Sequence, residues 1–411
     1  MSRRLVVRLA LALGVAVSLS LIVAPTAYAG NKYKVLYNFT GGGDGGGPNL
    51  FAALAIDRNG NLYGGAAGGT GTGCDGPCGV VFEMARGAND KWRESVLFNF
   101  NGYYMDGEPV SSLALDSQGN LYGGAAGGPQ GTATVYQLAP GAGGWSFNVL
   151  PVWGTEIGLI ADANGKNMYG FWGDSVQELS QVADRWTLTP LYELCPKGND
   201  CKNGTRPLVP LSWDAKGNLY GTTYEGGFNY PQCYCGVAFQ LTPNSNGSWT
   251  YHRLHIFGTF QNDGQSPYGG LTVDTSGNVY GTATDGGPNK RGTVFRLTQT
   301  TGGSWKEKII YGFPAECNCG VPGNNLVFDK AGNLYGTAAT FEQCDGGYNC
   351  GLVFKLTPQK NGSWKYSLVH RFRGPDGEYP NGLTVDSKGN LYGTTTLGGA
   401  YNYGVVFEIT P

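Results

Sequence analysis

One short phrase recurs seven times along the chain, and this repetition constrains the fold more than any other feature. Each copy consists of a short apolar run that ends in Asp, a turn that contains Gly, and Asn-Leu-Tyr-Gly or a close variant. The aspartates that open the seven turns are Asp57, Asp116, Asp162, Asp214, Asp274, Asp329 and Asp386. Consecutive aspartates are separated by 46 to 60 residues, a period that suits one four-stranded propeller blade and exceeds that of most helical solenoids. The sequence therefore predicts an array of one repeated β-unit.

The composition favours an all-β class. Of 411 residues, 70 are Gly, 13% are aromatic and only 14% are charged. Helical chains are rich in Ala, Glu, Lys and Leu, and disordered chains lack aromatic residues. The formal net charge of −2 provides no basic surface for phosphate backbones, so nucleic acid is not an expected partner.

The last repeat shows how one unit divides into strands. Residues 383–385 predict a first strand and residues 390–395 a second, with a tight turn between them. Residues 404–409 predict a third strand, and their consecutive apolar side chains indicate burial on both faces. In earlier repeats an Asn-Gly-Ser-Trp hairpin follows, as at 246–249 and 361–364, and leads into a fourth strand.

The two ends of the chain are out of phase with the repeats. Residues 34–39 predict a fourth strand with no first three before it, whereas the chain ends at Pro411 after a third strand. Pairing these ends completes a seventh blade and removes two exposed sheet edges. We therefore predict a seven-bladed β-propeller of four-stranded antiparallel blades, closed by the N-terminal strand and forming a single domain over residues 30–411.

Residues 1–29 have the pattern of a secretory signal peptide. Arginines near the start accompany an apolar run over 5–24, and residues 27–29 have the small-x-small cleavage pattern. An uncleaved membrane anchor is the alternative, because the apolar run is nearly long enough to span a bilayer. We expect cleavage before Gly30, no membrane span in the mature chain, and export to the periplasm, the cell surface or the extracellular space.

All ten cysteines lie beyond this segment, in predicted loops. An even number of cysteines in an exported protein indicates disulfides, whereas zinc would need converging ligands from few histidines. We expect a local Cys74–Cys78 bridge and loop-to-loop bridges within two groups, with the connectivity inside each group left open. The first group is Cys195, Cys201, Cys233 and Cys235, and the second is Cys317, Cys319, Cys344 and Cys350. The sequence indicates no metal site and no cofactor.

The full repeat resembles the GloVer-type tandem repeat of bacterial choice-of-anchor surface proteins. The shared pattern is Leu-x-x-Asp-x-x-Gly-Asn-Leu-Tyr-Gly-Thr-Thr, then Gly-Gly, then Gly-x-Val-Phe-x-Leu-Thr-Pro, and it is clearest at 214–243 and 386–411. The resemblance covers essentially all of the predicted mature chain. It implies export and a surface or extracellular location, and it implies no catalytic residues. The turn is also similar to those of NHL-type and two-component-regulator propeller repeats, which supports the fold.

Consecutive antiparallel strands divide the connections between two faces of the predicted ring. The short-turn face holds the first-to-second and third-to-fourth turns, and the long-loop face holds the longer, variable connections. Because binding residues concentrate on variable loops carried by a rigid scaffold, we expect function on the long-loop face. Repeat three departs from the pattern: residues 165–170 contain an insertion and residues 171–174 replace the usual long loop. This predicts a notch in the rim or a decayed repeat that still packs.

Aromatic side chains are the main binding candidates on this face, because flat rings with polar edges suit sugar faces and extended peptides. The candidates are Tyr103, Tyr104, Trp153, Trp172, Phe228, Tyr230, Tyr234, Tyr268, Tyr379, Tyr401 and Tyr403. The alternative is that these rings pack the loops.

Charged residues give a weaker case for catalysis. Glu108, Glu156 and Glu378 precede first strands, and Arg206 holds a comparable place, so we expect them near the channel mouth. Paired carboxylates there would suit acid–base chemistry on a sugar, and solvated rim charges are the alternative. The three histidines, His252, His255 and His370, fall in fourth strands and are expected to be surface or packing residues. The seven turn aspartates are expected to cap their turns.

The sequence therefore favours a monomeric, non-catalytic binding module whose ligand is an extracellular glycan or a surface protein. A polysaccharide hydrolase or lyase that uses rim carboxylates is the second hypothesis. A passive structural component of the envelope or matrix is the third.

Overall fold

Seven antiparallel sheets arranged as the blades of a propeller make up the fold. The computed structural model describes residues 31–48, 52–71, 78–101, 108–109, 112–126, 134–153, 158–183, 185–196, 201–227, 235–315, 321–343 and 349–411. Within these residues 32 strands form seven sheets. The predicted seven-bladed propeller is confirmed.

The strands of the first three blades follow the N-terminal strand β1 (Lys32–Asn38). Blade 1 contains β2 (Gly46–Pro48), β3 (Ala55–Ile56), β4 (Leu62–Ala67), β5 (Val80–Arg86), a short 3-10 helix (Ala88–Asp90) and β6 (Trp92–Asn99). Blade 2 contains β7 (Glu108–Pro109), β8 (Ala114–Leu115), β9 (Leu121–Ala126), β10 (Thr134–Gly141) and β11 (Gly144–Trp153). Blade 3 contains β12 (Ile160–Ala161), β13 (Met168–Trp172), β14 (Ser175–Val182) and β15 (Arg185–Glu193).

The remaining blades repeat this order. Blade 4 contains β16 (Ser212–Trp213), β17 (Leu219–Thr223), β18 (Val237–Pro243) and β19 (Trp249–Ile256). Blade 5 contains β20 (Gly264–Pro267), β21 (Thr272–Val273), β22 (Val279–Gly286), β23 (Thr293–Gln299) and β24 (Trp305–Gly312). Blade 6 contains β25 (Val321–Pro322), β26 (Val327–Phe328), β27 (Leu334–Gln343), β28 (Asn349–Pro358) and β29 (Trp364–Phe372). Blade 7 contains β30 (Glu378–Val385), β31 (Leu391–Leu397) and β32 (Val405–Thr410).

Strand β1 completes blade 7. It pairs antiparallel with β32, from Lys32 opposite Thr410 to Asn38 opposite Val405. The order in this sheet is β1-β32-β31-β30, so the predicted closure is confirmed. The pairing joins the two ends of the propeller in one sheet and covers the edges that an open array would expose.

The recurrent aspartates cap the short turns. In blade 4, Oδ1 of Asp214 accepts the backbone N–H groups of Lys216 and Asn218 at 2.8 and 2.9 Å. Its Oδ2 accepts the Asn218 amide at 2.7 Å and the Tyr220 hydroxyl at 3.0 Å. Equivalent bonds form at Asp57, Asp116, Asp274, Asp329 and Asp386. The predicted capping role is therefore confirmed for these turns.

The glycine after the tyrosine makes room for the core. A Cβ atom at Gly221 would lie 2.6 Å from the ring of Phe239 and 2.9 Å from the side chain of Leu211. The aromatic ring of the third strand therefore packs directly over the backbone of the second strand. The same arrangement recurs at Gly64, Gly281, Gly336 and Gly393. The repeated phrase thus combines a turn cap with a steric requirement of the core.

Blade 3 has the shortened connection that the sequence predicts. Strands β13 and β14 are joined at Gly173 and Asp174, with Trp172 opposite Ser175. Phe171 and Val176 beside this turn are fully buried. The blade therefore packs normally and lacks a long loop.

The predicted signal peptide lies outside the described residues, so its cleavage stays a prediction. The propeller occupies one compact unit, Asn31–Pro411. In the part of the chain that the structure describes, no helix has the length and apolar character needed to cross a membrane.

Candidate functional site

The structure describes five of the predicted aromatic candidates with their side chains. These are Trp172, Tyr268, Tyr379, Tyr401 and Tyr403. Tyr103, Tyr104, Phe228, Tyr230, Tyr234 and the predicted acid Glu156 lie outside the described residues. Trp153 and Glu108 are described by their backbone alone. Ligand binding by any of these residues stays a prediction.

Two tyrosines of blade 7 are strongly exposed on the long-loop face. Tyr401 and Tyr403 follow β31 and have 59% and 48% of their surface exposed. The ring of Tyr403 lies close over glycine backbone, because a Cβ at Gly41 would be 2.5 Å from it. The loop is held at its base by the Asn38 side chain, which accepts the Ala400 N–H at 2.8 Å. These contacts hold two rings at the surface on an ordered loop.

A third exposed ring was not among the predicted candidates. Phe260 lies in the loop between β19 and β20, with 55% of its surface exposed. In the described part of the chain, the large aromatic side chains with more than about a third of their surface exposed are Phe260, Tyr401 and Tyr403. All three belong to the long-loop face.

A cation lies among tyrosines on the same face, between blades 4 and 5. Nη1 of Arg206 is 2.7 Å from Oε1 of Glu225, and the arginine side chain is 58% exposed. Its guanidinium lies 5.5 Å from the ring centre of Tyr224, which meets Tyr268 edge-on at 5.6 Å. The hydrogen bond to Glu225 raises the pKa of Arg206, and burial raises the pKa of Tyr268. The cluster therefore combines a guanidinium group with two tyrosine side chains.

The short turn of blade 3 supports this cluster. Oδ1 of Asp174 accepts the backbone N–H of Arg206, and its Oδ2 accepts the hydroxyl of Thr205, both at 2.7 Å. The short connection of blade 3 thus contributes a residue that holds the Arg206 backbone.

Arg206 occupies a strained position that recurs around the ring. Its φ is 56°, and the equivalent residues Gly47, Ser266 and Tyr379 have φ values of 58°, 55° and 52°. Each of the four precedes a proline in a Gly-x-x-Pro sequence, whose last two residues lie within the first strand of the blade or, at Arg206, ahead of it. A left-handed non-glycine residue costs about 1–3 kcal/mol, and such strain concentrates at functional sites. The Gly-x-x-Pro pattern in the sequence marks this backbone position. It would have identified Ser266 as the residue of blade 5 that is equivalent to Arg206.

Comparison with known proteins gives a family for the central part of the chain. Residues 184–347, from the end of blade 3 into blade 6, match the model of the Gloeobacter/Verrucomicrobia repeat. This segment is similar to the GloVer repeat. The resemblance inferred from the sequence is therefore confirmed. The repeat family and the disulfide described below are consistent with an exported protein. No curated protein sequence matches the chain.

Solved structures share the fold of this propeller at low sequence identity. The polysaccharide lyase Uly1 is 12% identical with a TM-score of 0.53, covering 94% of this chain and 94% of its own. The β-propeller domain of Cps50 (Swd1) from Myceliophteria thermophila is also 12% identical, with a TM-score of 0.52 and coverage of 87% and 96%. At this identity the likeness shows the fold alone.

The described residues around the central channel of the propeller carry few groups that could take part in catalysis. A cavity of about 330 Å³ lies along the channel, and its described lining is apolar or uncharged, including Leu54, Leu113 and Leu211. Glu378 is 6% exposed and lies within β30, opposite Leu397. Glu378 is equivalent to Thr205 of blade 4, because it lies one residue before the strained position, which is Tyr379 in blade 7 and Arg206 in blade 4. Glu378 and Arg206, which were both predicted to lie at the channel mouth, therefore occupy different positions in their repeats.

Other cavities open on the short-turn face of the propeller. One of about 630 Å³ lies between blades 5 and 6 and is lined by Arg296, Asp329, Lys330 and Trp364. Another of about 430 Å³ lies among the turns of the first three blades. Their acidic residues include Asp57, Asp116, Asp162 and Asp329, which cap turns.

The histidines differ in their surroundings. His252 is exposed, whereas Nε2 of His255 lies 3.1 Å from Asp263 and Nε2 of His370 lies 2.9 Å from Asp376. Glu307 lies beside Asp263, and burial together with the Asp263 charge raises the pKa of Glu307 to about 8. His255 and His370 thus form ordered contacts with carboxylates between blades.

One disulfide corrects the expected pattern. Cys195 and Cys201 are bonded to each other, and both lie in the loop between β15 and β16. The expectation of loop-to-loop bridges is wrong for this pair, because their Cα atoms lie 4.6 Å apart, within bonding range for two cysteines of the same loop. Cys78 and Cys235 are also disulfide-bonded, to partners outside the described residues. The partners of the other cysteines stay a prediction.

Proposed function

We propose that this propeller is a secreted or cell-surface module that binds an extracellular glycan on its long-loop face. The observation that supports the proposal is the placement of Phe260, Tyr401 and Tyr403 on that face. Exposed rings supply large contact areas at low entropic cost, and exposed aromatic groups commonly mark binding surfaces.

The Arg206 cluster adds the polar chemistry that a sugar requires. The exposed guanidinium donates hydrogen bonds, and Glu225, 2.7 Å away, accepts them. A donor and an acceptor side by side match the hydroxyl groups of a sugar, which both donate and accept. The neighbouring Tyr224 and Tyr268 supply apolar surface with a polar edge.

An open surface suits a polymer better than a small molecule. The cavities described above lie in the channel or on the short-turn face. A ligand bound by Phe260, Tyr401 and Tyr403 would lie across exposed side chains, as an extended polysaccharide can. The catalytic alternative has less support, because Glu378 is buried and the described channel lining is uncharged.

Affinity electrophoresis through gels that contain single neutral or acidic polysaccharides tests the proposal. We expect retardation by at least one polysaccharide, and a loss of about tenfold or more in affinity for Tyr401→Ala/Tyr403→Ala and for Arg206→Ala. Val182→Ala is the matched control, because Val182 is 60% exposed but lies on the short-turn face. Migration of the wild type unaffected by every polysaccharide would overturn the proposal, as would equal retardation of the aromatic variant.

A further inference from the structure

The outer strands of neighbouring blades contact each other through one repeated pair of positions. At four blade boundaries this contact is a pair of stacked rings. The pairs are Phe98–Phe147 at 3.9 Å, Tyr192–Tyr251 at 4.5 Å, Tyr311–Tyr366 at 4.5 Å and His370–Tyr33 at 3.8 Å between centroids. Stacking of rings is thus the usual way in which this fold packs its rim.

The boundary between blades 4 and 5 departs from this rule. His255 lies six residues after Trp249, as His370 does after Trp364, and it supplies the first ring. The second position, two residues after Trp305, is Glu307 instead of an aromatic residue. A carboxylate therefore faces the imidazole where four other boundaries place a ring.

A second carboxylate joins this pair. Oδ1 and Oδ2 of Asp263 lie 3.1 and 3.3 Å from Nε2 of His255, and the Asp263 side chain is fully buried. One potential ligand atom from each of His255, Asp263 and Glu307 lies within 4.8 Å of the others. Three groups that bind metals thus converge from two blades and the loop between them.

Burial of the Glu307 carboxyl group costs free energy, and packing alone does not explain why the position holds this residue. Oε1 of Glu307 is buried and has no hydrogen-bond partner among the described residues. Two buried carboxylates side by side are unfavourable unless a shared proton or a bound cation compensates their charge. An aromatic residue at this position would avoid the cost and restore the stack. A residue that breaks a local rule without a packing gain points to a function.

We propose that His255, Asp263 and Glu307 bind a divalent transition-metal ion, with Zn²⁺ as the best match. Zn²⁺ takes imidazole nitrogen and carboxylate oxygen ligands at about 2.0–2.2 Å. Rotation of the Glu307 carboxylate, whose Oε1 no described group holds, closes the remaining distance. Ca²⁺ and Mg²⁺ prefer oxygen ligands alone and suit the histidine less well. The ion links blade 4 to blade 5 at the outer edge of the ring.

Two related clusters each lack one ligand of this set. Between blades 6 and 7, His370 and Asp376 form the same contact at 2.9 Å, but the third residue is Tyr33. Between blades 7 and 1, Asp44 and Glu94 are present with Tyr37 in the place of the histidine. Among these three boundaries the complete set occurs between blades 4 and 5.

Titration of the mature, chelator-treated protein with Zn²⁺ tests the proposal by calorimetry and thermal unfolding. We expect one equivalent bound with a Kd below about 10 µM and a rise in Tm with added Zn²⁺. Glu307→Tyr restores a ring at the rim, so this variant should fold and should lose the bound equivalent. His252→Gln, which changes an exposed histidine of the same strand, should bind as the wild type does.

Two results would overturn the proposal. The first is a wild-type protein that binds Zn²⁺ no tighter than about 1 mM. The second is a folded Glu307→Tyr variant with wild-type affinity. A converse experiment uses Tyr33→Glu, which places a third ligand beside His370 and Asp376. This variant should bind a second equivalent of Zn²⁺, and a folded variant that still binds one would count against the ligand assignment.

Discussion

The ring of Tyr33 lies parallel to the ring of His370, with 3.8 Å between centroids and 4° between planes. The Tyr33 hydroxyl also donates a hydrogen bond to the backbone carbonyl of Asp376 at 2.5 Å. Strand β1 is therefore attached to blade 6 through its side chains as well as to blade 7 through its backbone. Closure of the ring depends on both contacts, since β1 comes from the opposite end of the propeller.

We predict that Tyr33→Ala destabilises the protein by about 3 kcal/mol, because it removes a partly buried, stacked ring and its hydrogen bond. Urea unfolding monitored by tryptophan fluorescence measures the change. Lys32→Ala is the control, since Lys32 is exposed on the same strand. Equal stability of the two variants would show that β1 closes the ring through its backbone alone.

Replacement of the glycine in the repeated phrase should also destabilise the fold. Gly221→Ala places a methyl group 2.6 Å from the ring of Phe239, and overpacking of this kind costs about 1–3 kcal/mol. Gly143→Ala is a matched control, because a Cβ there meets nothing within 4 Å. Chemical denaturation should show a clear loss in the free energy of unfolding for Gly221→Ala and little change for Gly143→Ala. A neutral Gly221→Ala variant would contradict the steric explanation of the phrase.

The stability of the protein should depend on pH through Glu94. Burial raises the pKa of Glu94 from 4.5 to about 7, and the charge of Asp44 adds to the effect. The folded state therefore holds a proton that the unfolded state releases, so the free energy of unfolding falls as pH rises from about 4.5 to about 7. Below about pH 4.5 Glu94 is protonated in both the folded and the unfolded state, so it no longer makes the free energy of unfolding depend on pH.

Glu94→Gln should remove this part of the pH dependence. The variant is expected to match the wild type at pH 4 and to be more stable at pH 8, because a neutral amide has no charge to bury. Unfolding curves at pH 4, 6 and 8 provide the measurement. Glu193→Gln, at an exposed site, should follow the wild-type profile. A Glu94→Gln profile parallel to that of the wild type would contradict the prediction.

The Cys195–Cys201 bridge should stabilise the loop that precedes the Arg206 cluster. Its removal in Cys195→Ser/Cys201→Ser should cost about 2 kcal/mol, as expected for a short closed loop. Non-reducing peptide mapping should recover the two cysteines bonded to each other. A bridge from either residue to another loop would contradict the connectivity, and unchanged stability of the double variant would contradict the estimated effect.

Local features of the chain were accessible to sequence analysis. The spacing from Asp214 to Asn218 and Tyr220 lies within one turn and one strand, so the cap and the blade follow from adjacent residues. The N-terminal strand has the pattern of a fourth strand and the last strand has the pattern of a third, and this was enough to predict that β1 pairs with β32. Both inferences depend on periodicity, which a single sequence displays directly.

Contacts between blades were harder to predict from the sequence. Sequence analysis grouped Arg206 with distant glutamates at the channel mouth, whereas the structure pairs it with Glu225 and anchors it to Asp174. These partners come from the following loop and from another blade. An alternating strand pattern shows which side chains share a face, but it does not show which neighbour they meet.

The sequence by itself determined the class, the number of blades and their closure, because each repeat forms its turns and strands from residues close in the chain. The tertiary structure decided which side chains meet at the rim, including His255 and Glu307 from separate repeats. The physical reason is that these contacts depend on how one blade packs against the next. The spacing of residues within one repeat does not show which residues of neighbouring blades come into contact.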